Sequence, residues 1–277
     1  MKGEVVFMVK RSNLHTHSVF CDGKDTIEHM ARRAYEMGLV SLGFSGHGPQ
    51  TNNLFGIQSE SDYAAEVRRV AGLYEGRMKI WLGIEQDYFG YCTIPYDYRL
   101  GAVHYLDGRD GVNHGVDHSE EGFERMLREG FGGDTLAMAK AYYEREVEMC
   151  LKNRPDVVVH YDLICKFNEN NRFFDEQDPA YMALSLDALE AICDGRRLLE
   201  VNTGAIARGR RSRPYPDALQ LKRWRELGGH VILGSDCHDA EKLTCGFEDA
   251  LELIRWAGFR SVWRLGEGDE LFVEDTI

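Results

Sequence analysis

Proline is scarce in this chain, with six among 277 residues, and no low-complexity tract interrupts a composition that is 43% hydrophobic. That composition argues against a long disordered tail, and the profile is that of an ordinary globular protein. The seven cysteines are odd in number and include no C-x-x-C pair, so neither a disulfide framework nor a zinc ribbon is indicated. Reduced thiols and a cytoplasmic setting are the expectation. No apolar run approaches the ~18 residues of a membrane span. Near the start, Lys2, Glu4, Lys10 and Arg11 surround an apolar patch too short for the core of a signal segment, so a soluble protein without a membrane partner is expected. Positive charge is also short: 33 Lys and Arg face 46 Asp and Glu, for a formal net charge of -13. That field repels nucleic acid, and an anionic substrate must be drawn in locally by a metal or an arginine cluster. P-loops, G-x-S-x-G elbows and kinase-type glycine loops are missing too, and no cysteine sits in a recognisable phosphatase loop. A covalent enzyme intermediate is not expected.

What is present is a repeated unit, a short β-rich run followed by an amphipathic helical run, the pattern of strand–helix units around a parallel sheet. Seven strands are predicted, Asn13 to His17, Val40 to Ser45, Lys79 to Gln86, Leu100 to Leu106, Val157 to Leu163, Leu198 to Thr203 and Val231 to Ser235. The first helix is signalled by Asp25 three residues before Glu28, a capping-box pattern, and is ended by Gly38. Further helices are predicted over Ser61 to Tyr74, Leu136 to Lys152, Pro179 to Cys193, Pro216 to Leu227 and Phe247 to Trp256. No linker or internal repeat divides the chain, so residues 1–277 read as one domain. The Gly-rich and acidic segment Asp107 to Asp134, with a short helix over Glu120 to Arg128, reads as an insertion that lines or covers a site.

Six of the ten histidines, His15, His17, His47, His104, His160 and His238, fall at or just beyond the C-terminal end of a predicted strand, together with Glu85 and Asp236. In an α/β barrel those ends converge on one face, so residues distant in sequence can surround one point. Side chains alternate along a strand, which puts His15 and His17 on the same side, where both can bind one ion; Asp236 and His238 repeat the spacing. Imidazoles and carboxylates without cysteine favour an open, catalytic site for zinc, iron(II) or manganese. So many ligands call for two or three ions, with Glu85 suited to bridge a pair. His29, His114, His118 and His230 lack this placement and read as structural or solvated.

Leu14-His15-Thr16-His17, Phe20-Cys21-Asp22-Gly23, Gly46-His47-Gly48-Pro49, Gly101-Ala102-Val103-His104, His160-Tyr161-Asp162-Leu163-Ile164, Glu200-Val201-Asn202-Thr203-Gly204 and Gly234-Ser235-Asp236-Cys237-His238 together resemble the PHP superfamily of metal-dependent phosphoesterases, from about residue 13 to about residue 257. Within it the chain looks most like the histidinol-phosphate phosphatases, on the Phe-Cys-Asp-Gly, Val-His-Tyr-Leu and His-Tyr-Asp-Leu-Ile segments and the run Asn202 to Gly209 before Pro214-Tyr215-Pro216. The resemblance implies a distorted (β/α)7 TIM-like barrel with three metals. It implies His15, His17, Glu85 and Asp236 around one ion; Glu85, His104 and His160 around a second; and Asp22, His47 and His238 around a third. An Asp before Gly23 is also a common turn residue.

A phosphate dianion needs donors as well. Arg208, on the loop after a predicted strand, is the first candidate to clamp a phosphoryl oxygen, with Arg210, Arg211 and Arg213 as competitors and Lys166, Arg172 and Asn202 as weaker candidates. Two cations sharing Glu85 would lower the pKa of a bridging water to give an attacking hydroxide, and Asp236 or His238 is the candidate proton donor to the departing alkoxide. The expected reaction is hydrolysis of L-histidinol phosphate; another small phosphate ester or a nucleotide is the alternative within the class. A metal-dependent amidohydrolase usually carries a bridging lysine where this chain offers Glu85, and a non-catalytic metal-binding module would have an incomplete ligand set.

Overall fold

Strand-forming runs rich in Val, Ile and Leu alternate with amphipathic runs, and the computed structural model, which describes residues 10–50 and 55–277, arranges them as strand–helix units on one curled sheet. The apolar patch beside Lys2 and Glu4 lies outside the described residues. The strands are β1 (Ser12–Asn13), β2 (Ser41–Phe44), β3 (Lys79–Asp87), β4 (Tyr98–Ala102), a separate hairpin of β5 (Tyr105–Asp107) and β6 (Asn113–Gly115), then β7 (Val157–Val158), β8 (Leu198–Asn202), β9 (His230–Gly234), β10 (Ser261–Leu265) and β11 (Phe272–Thr276). The main sheet runs β1-β2-β3-β4-β7-β8-β9-β10-β11. Its neighbours are parallel except for β11, which is antiparallel to β10. The curl brings the exits of β1 and β9 together at a parallel bridge between Thr16 and Cys237, where His17 N–H donates to Cys237 O at 2.8 Å and Cys237 N–H to His15 O at 3.1 Å. This is the distorted α/β barrel expected from the sequence.

The seven predicted strands are all present, with shifted ends. β7 stops at Val158 because His160 takes a left-handed backbone, φ 31°, which no strand accommodates; the chain then enters a 3-10 turn over Leu163–Cys165. β4 begins two residues early, at Tyr98, and Tyr105 leaves it for the hairpin. β10 and β11 are additions, and their half-buried patterns mix apolar residues with Arg264, Glu274 and Asp275, which masks the period-2 signal.

The helices are α1 (Ile27–Glu36), α2 (Glu60–Leu73), α3 (Glu120–Arg125), α4 (Thr135–Asn153), α5 (Pro179–Ile192), α6 (Gly204–Ala207), α7 (Ala218–Glu226) and α8 (Phe247–Trp256). The cap of α1 is Thr26, whose hydroxyl accepts from His29 N–H. Asp25 does not cap it, because its carboxylate is taken by the His29 ring at 2.8 Å and by Ala240 N–H at 2.9 Å. α7 starts two residues after Pro216, where Asp217 and Gln220 form a reciprocal capping box. Within the segment Asp107 to Asp134, α3 continues into a π-helical turn, Met126–Gly130.

One buried cluster, including Leu14, Tyr98, Leu100, Val159, Ile232 and Leu265, lies just before the strand ends that carry the histidines. Fully burying each aliphatic side chain contributes about 1.5–3 kcal/mol. Tyr98 fits there because β2 and β3 offer glycines: a Cβ on Gly43 or Gly83 would come within 2.0 or 2.2 Å of its side chain. Its hydroxyl donates to the carbonyl of Leu14, so this floor holds the residue that precedes His15.

Candidate metal centre

Asn13 at the end of β1 builds the entrance to the site. Its Oδ1 accepts from the backbone N–H of His15 and of Ser235, and its Nδ2 donates to Ser235 Oγ at 2.6 Å and to Leu243 O at 3.0 Å. The exits of β1 and β9 are thereby latched. His15 and His17 project into the interior, fully buried. Next along the sheet, His47 lies beyond the end of β2 and Glu85 near the end of β3, joined by a parallel bridge. Asp236, after β9, has φ 46°; left-handed backbone at His160 and Asp236 costs of order 1–3 kcal/mol each and is found at residues that converge on one point.

That point is Glu85. Its Oε2 lies 2.8 Å from His47 Nδ1 and 3.5 Å from both His15 Nε2 and His17 Nε2; its Oε1 lies 2.8 Å from His160 Nε2 and 3.4 Å from His104 Nε2. Asp236 Oδ1 is 3.2 Å from His17 Nε2 and 3.7 Å from His15 Nε2. On the open side, Asp22 Oδ1 faces His238 Nε2 at 3.2 Å, His17 Nδ1 at 3.4 Å and His47 Nε2 at 3.7 Å. Four groups have ligand atoms close enough to share an ion: His17, Asp22, His47 and His238; His15, Glu85 and His160; His15, His17 and Asp236; and His47, Glu85 and His104.

Two properties suit this cluster to binding cations more than to serving as a polar core. His15 Nε2, His17 Nε2 and Glu85 Oε2 are buried with no hydrogen-bond partner among the described residues, an arrangement that a protein interior rarely tolerates and that a cation completes. The second property is electrostatic. Burial opposes a charged His15 ring, but the carboxylates of Glu200, Glu85 and Asp236 outweigh it and push the pKa up to about 10. His104 is raised in the same way against its burial, by Glu85 and Asp87, and His47 by Glu85 and Asp22. Conversely, burial would raise Glu85, yet His47, His15 and His104 hold it well below the usual carboxylate range. The centre attracts positive charge, and metal ions compete with protons for these atoms.

The structure brings Arg208 to the edge of this group. Its Nη2 donates to Asp236 Oδ2 at 2.6 Å, and its Nη1 donates to Asp236 O at 3.1 Å and lies 3.3 Å from His238 Nδ1. Lys166 is held by Asp117 of the 107–134 segment, through Oδ2 at 2.8 Å and the carbonyl at 2.9 Å. The remaining candidates are placed elsewhere. Asn202 is fully buried, with Nδ2 on Glu200 and Oδ1 accepting from Gly204 N–H. Arg210 lies over the Phe167 ring, Arg211 and Arg213 pair with Glu176, and Arg172 pairs with Glu120. Among the other histidines, His29 is bound to Asp25, His114 to Asp110, His118 stands by Phe55, and His230 by Trp263.

Two carboxylates beside the ligands escaped the sequence reading. Asp87 accepts from His104 N–H at 2.8 Å and lies 3.3 Å from its Nδ1; Glu200 contacts His15 Nδ1 at 2.8 Å. Each had a signal. Asp87 shares a face with Glu85 two residues away, and Glu200 is a charge inside the apolar run Leu198 to Val201, where burial demands a partner.

Residues 13–204 match the model of the PHP domain. Over nearly its whole length the chain is similar to a probable histidinol-phosphatase of Deinococcus radiodurans, 27% identical over 90% of this chain and 94% of the relative. It is also similar to a histidinol-phosphatase of Bacillus subtilis, 23% identical over 88% and 99%. Among solved structures it shares its fold with histidinol phosphate phosphatase from Lactococcus lactis, complexed with zinc, L-histidinol and phosphate, at a TM-score of 0.69 and 18% identity over 93% of this chain and 97% of that one. The putative histidinol phosphatase of Listeria monocytogenes gives a TM-score of 0.72 at 20% identity over 86% and 99%. With most of its length matched by that domain and a buried histidine–carboxylate centre at its strand ends, the chain belongs to the PHP family of metal-dependent phosphoesterases.

Proposed function

We propose that this protein hydrolyses L-histidinol phosphate to L-histidinol and phosphate. The observation that carries the reading is the convergence of five imidazoles on the single buried carboxylate of Glu85, with Arg208 beside them. His15, His17, Glu85 and Asp236 would hold one divalent ion, Glu85, His104 and His160 a second, and Asp22, His47 and His238 a third. Zinc, iron(II) and manganese all suit these donors. When bound, such ions supply Lewis acidity toward phosphoryl oxygens and lower the pKa of water enough for it to attack phosphorus near neutral pH.

The chain's own residues supply the rest. Arg208, at the edge of the centre, would meet the charge that builds up on a phosphoryl oxygen in the transition state with a fixed cation. Lys166, held by Asp117, adds a second positive group to a chain that is otherwise strongly acidic. Burial would raise Asp236, but the Arg208 guanidinium and the His15 ring hold it well below the usual carboxylate range. Asp236 then serves as ligand and anchor rather than as the proton donor to the leaving alkoxide. Asn202 and Arg210 take no direct part, since the first is engaged within its own turn and the second lies over Phe167. The choice of alcohol is supported by the relatives from Bacillus subtilis and Lactococcus lactis, the latter with histidinol and phosphate bound.

The test is hydrolysis of histidinol phosphate beside a panel of other phosphomonoesters and nucleotides, before and after chelation. Loss of activity with chelator, recovery with zinc or manganese, and preference for histidinol phosphate are expected. A nucleotide or other phosphomonoester turned over faster would sink the substrate assignment and keep the class; chelator-resistant hydrolysis would sink both.

A further inference from the structure

The geometry points to Glu200 as a positioning residue that sets the tautomer of the His15 ring and holds the backbone of His160, so that both present their Nε2 atoms toward Glu85; this rests on the metal-dependent reading above. Glu200 sits in the middle of β8, fully buried, with Leu199 and Val201 turned into the apolar cluster on the other face. A carboxylate placed there costs several kcal/mol unless its oxygens are filled. They are filled from three strand ends. Oε1 meets His15 Nδ1 at 2.8 Å; Oε2 accepts from His160 N–H at 3.1 Å and from Asn202 Nδ2 at 2.8 Å. β9 leaves room for this: a Cβ on Gly234 would lie 1.8 Å from Glu200 Oε1.

Each contact has a consequence for a neighbouring ligand. An ionised carboxylate only accepts, so His15 holds its hydrogen on Nδ1, and it is Nε2 that gives up a proton and offers a lone pair when an ion binds. That Nε2 is the buried atom without a partner among the described residues, 3.5 Å from Glu85 Oε2 and 3.7 Å from Asp236 Oδ1. His160 takes φ 31°, a conformation that residues other than glycine adopt rarely. Its N–H is secured by Oε2 while its ring Nε2 reaches Glu85 Oε1 at 2.8 Å. One side chain thus orients two of the three members of the His15, Glu85 and His160 group. Outer carboxylates of this kind change metal affinity by about 10–100-fold when removed.

Glu200→Gln separates positioning from bulk stability, because the amide can satisfy every neighbour in one orientation. Its oxygen then accepts from His160 N–H and Asn202, and its NH2 donates to His15 Nδ1. His15 is driven into the opposite tautomer, with the hydrogen on Nε2, where it cannot coordinate. The experiment titrates Zn2+ into metal-free wild type and E200Q in competition with a chromophoric chelator, and records the melting temperature of both metal-free proteins. Expected are zinc bound about 10–100-fold more weakly at the sites that His15 and His160 complete, the remaining zinc unchanged, an altered visible spectrum of the Co2+-loaded protein, and metal-free melting temperatures less than about 10 °C apart. Zinc affinities equal to wild type overturn the inference and leave the metal-dependent reading standing. A metal-free melting temperature lower by about 10 °C or more also overturns it, by making Glu200 a structural residue. A wild-type chain that binds no zinc overturns the metal-dependent reading and this inference with it.

Discussion

Around Glu176, both carboxylate oxygens are filled: Oε1 accepts from Arg211 Nη1 at 2.6 Å and Asn168 Nδ2 at 2.9 Å, and Oε2 from Arg211 Nη2 at 2.8 Å and Arg213 Nη2 at 2.9 Å. Around Glu85, five imidazoles converge, yet Oε2, His15 Nε2 and His17 Nε2 have no hydrogen-bond partner among the described residues. Both carboxylates are buried. They differ in what faces them, guanidinium groups that always carry a charge in one case and rings that present either a proton or a lone pair in the other. A buried carboxylate whose partners carry fixed charge is a joint in the fold. One whose partners can exchange a proton for a metal ion is a place for chemistry.

Substitutions at the two carboxylates break this comparison in opposite ways. Glu85→Gln should lower kcat by about 10³-fold, or about 4 kcal/mol, with fewer bound metal ions. Near-normal turnover with full metal occupancy would refute the bridging role. Glu176→Gln leaves two guanidinium groups short of a counter-charge and should cost about 3 kcal/mol of stability, read in thermal or denaturant unfolding, while metal content stays as in the wild type. A loss of metal there would blur the line between the clusters. Arg208→Ala should reduce kcat/KM by about 10²-fold, or about 2.7 kcal/mol, and weaken inhibition by inorganic phosphate; an unaltered inhibition constant would turn attention to Lys166.

A pH slope that the two clusters do not share sharpens the comparison further. In the metal-free protein the His15 pKa is raised from its ordinary 6.5 to about 10, so the stability that the charged ring contributes is complete below pH 6.5 and is lost as pH rises through about 10. His17, His47 and His104 are raised as well and act in the same direction. The melting temperature of chelator-treated protein should fall across that window. Metal-loaded protein should show the reverse slope, because protons compete with the ions less as pH rises. A flat profile in both forms would count against the charge balance argued for the centre. Arg211 stays charged throughout and adds no slope.

Much of this site was legible along the chain. His15, His17, His47, Glu85, His104, His160, Asp236 and His238 could be grouped because a strand's length and alternation reveal where it ends, and the ends of parallel strands face one way. α8 over Phe247–Trp256 is found where the apolar spacing puts it. Other features depended on competition between near-equivalent residues. Asp25 and Thr26 both suit a helix cap; Thr26 takes the role because Asp25 is claimed by His29 and by Ala240, distant in sequence. β10 and β11 were missed because Arg264 and Asp275 satisfy each other across the pair, so charged residues occupy a strand that alternation would have marked as loop.

By itself the sequence determined the donor types, their order along the chain and the strand–helix rhythm that carries them, since all three depend on local periodicity and composition. Tertiary structure alone decided which atoms meet. The curl that joins β1 to β9 at Thr16 and Cys237, the left-handed turns at His160 and Asp236 and the space at Gly234 set side-chain directions that no spacing rule encodes. They deliver Arg208 to Asp236 and Arg211 to Glu176 from the same basic loop, although the two arginines are three residues apart. The physical reason is that a buried charge is stable only opposite a partner, and the partners here come from segments distant in sequence.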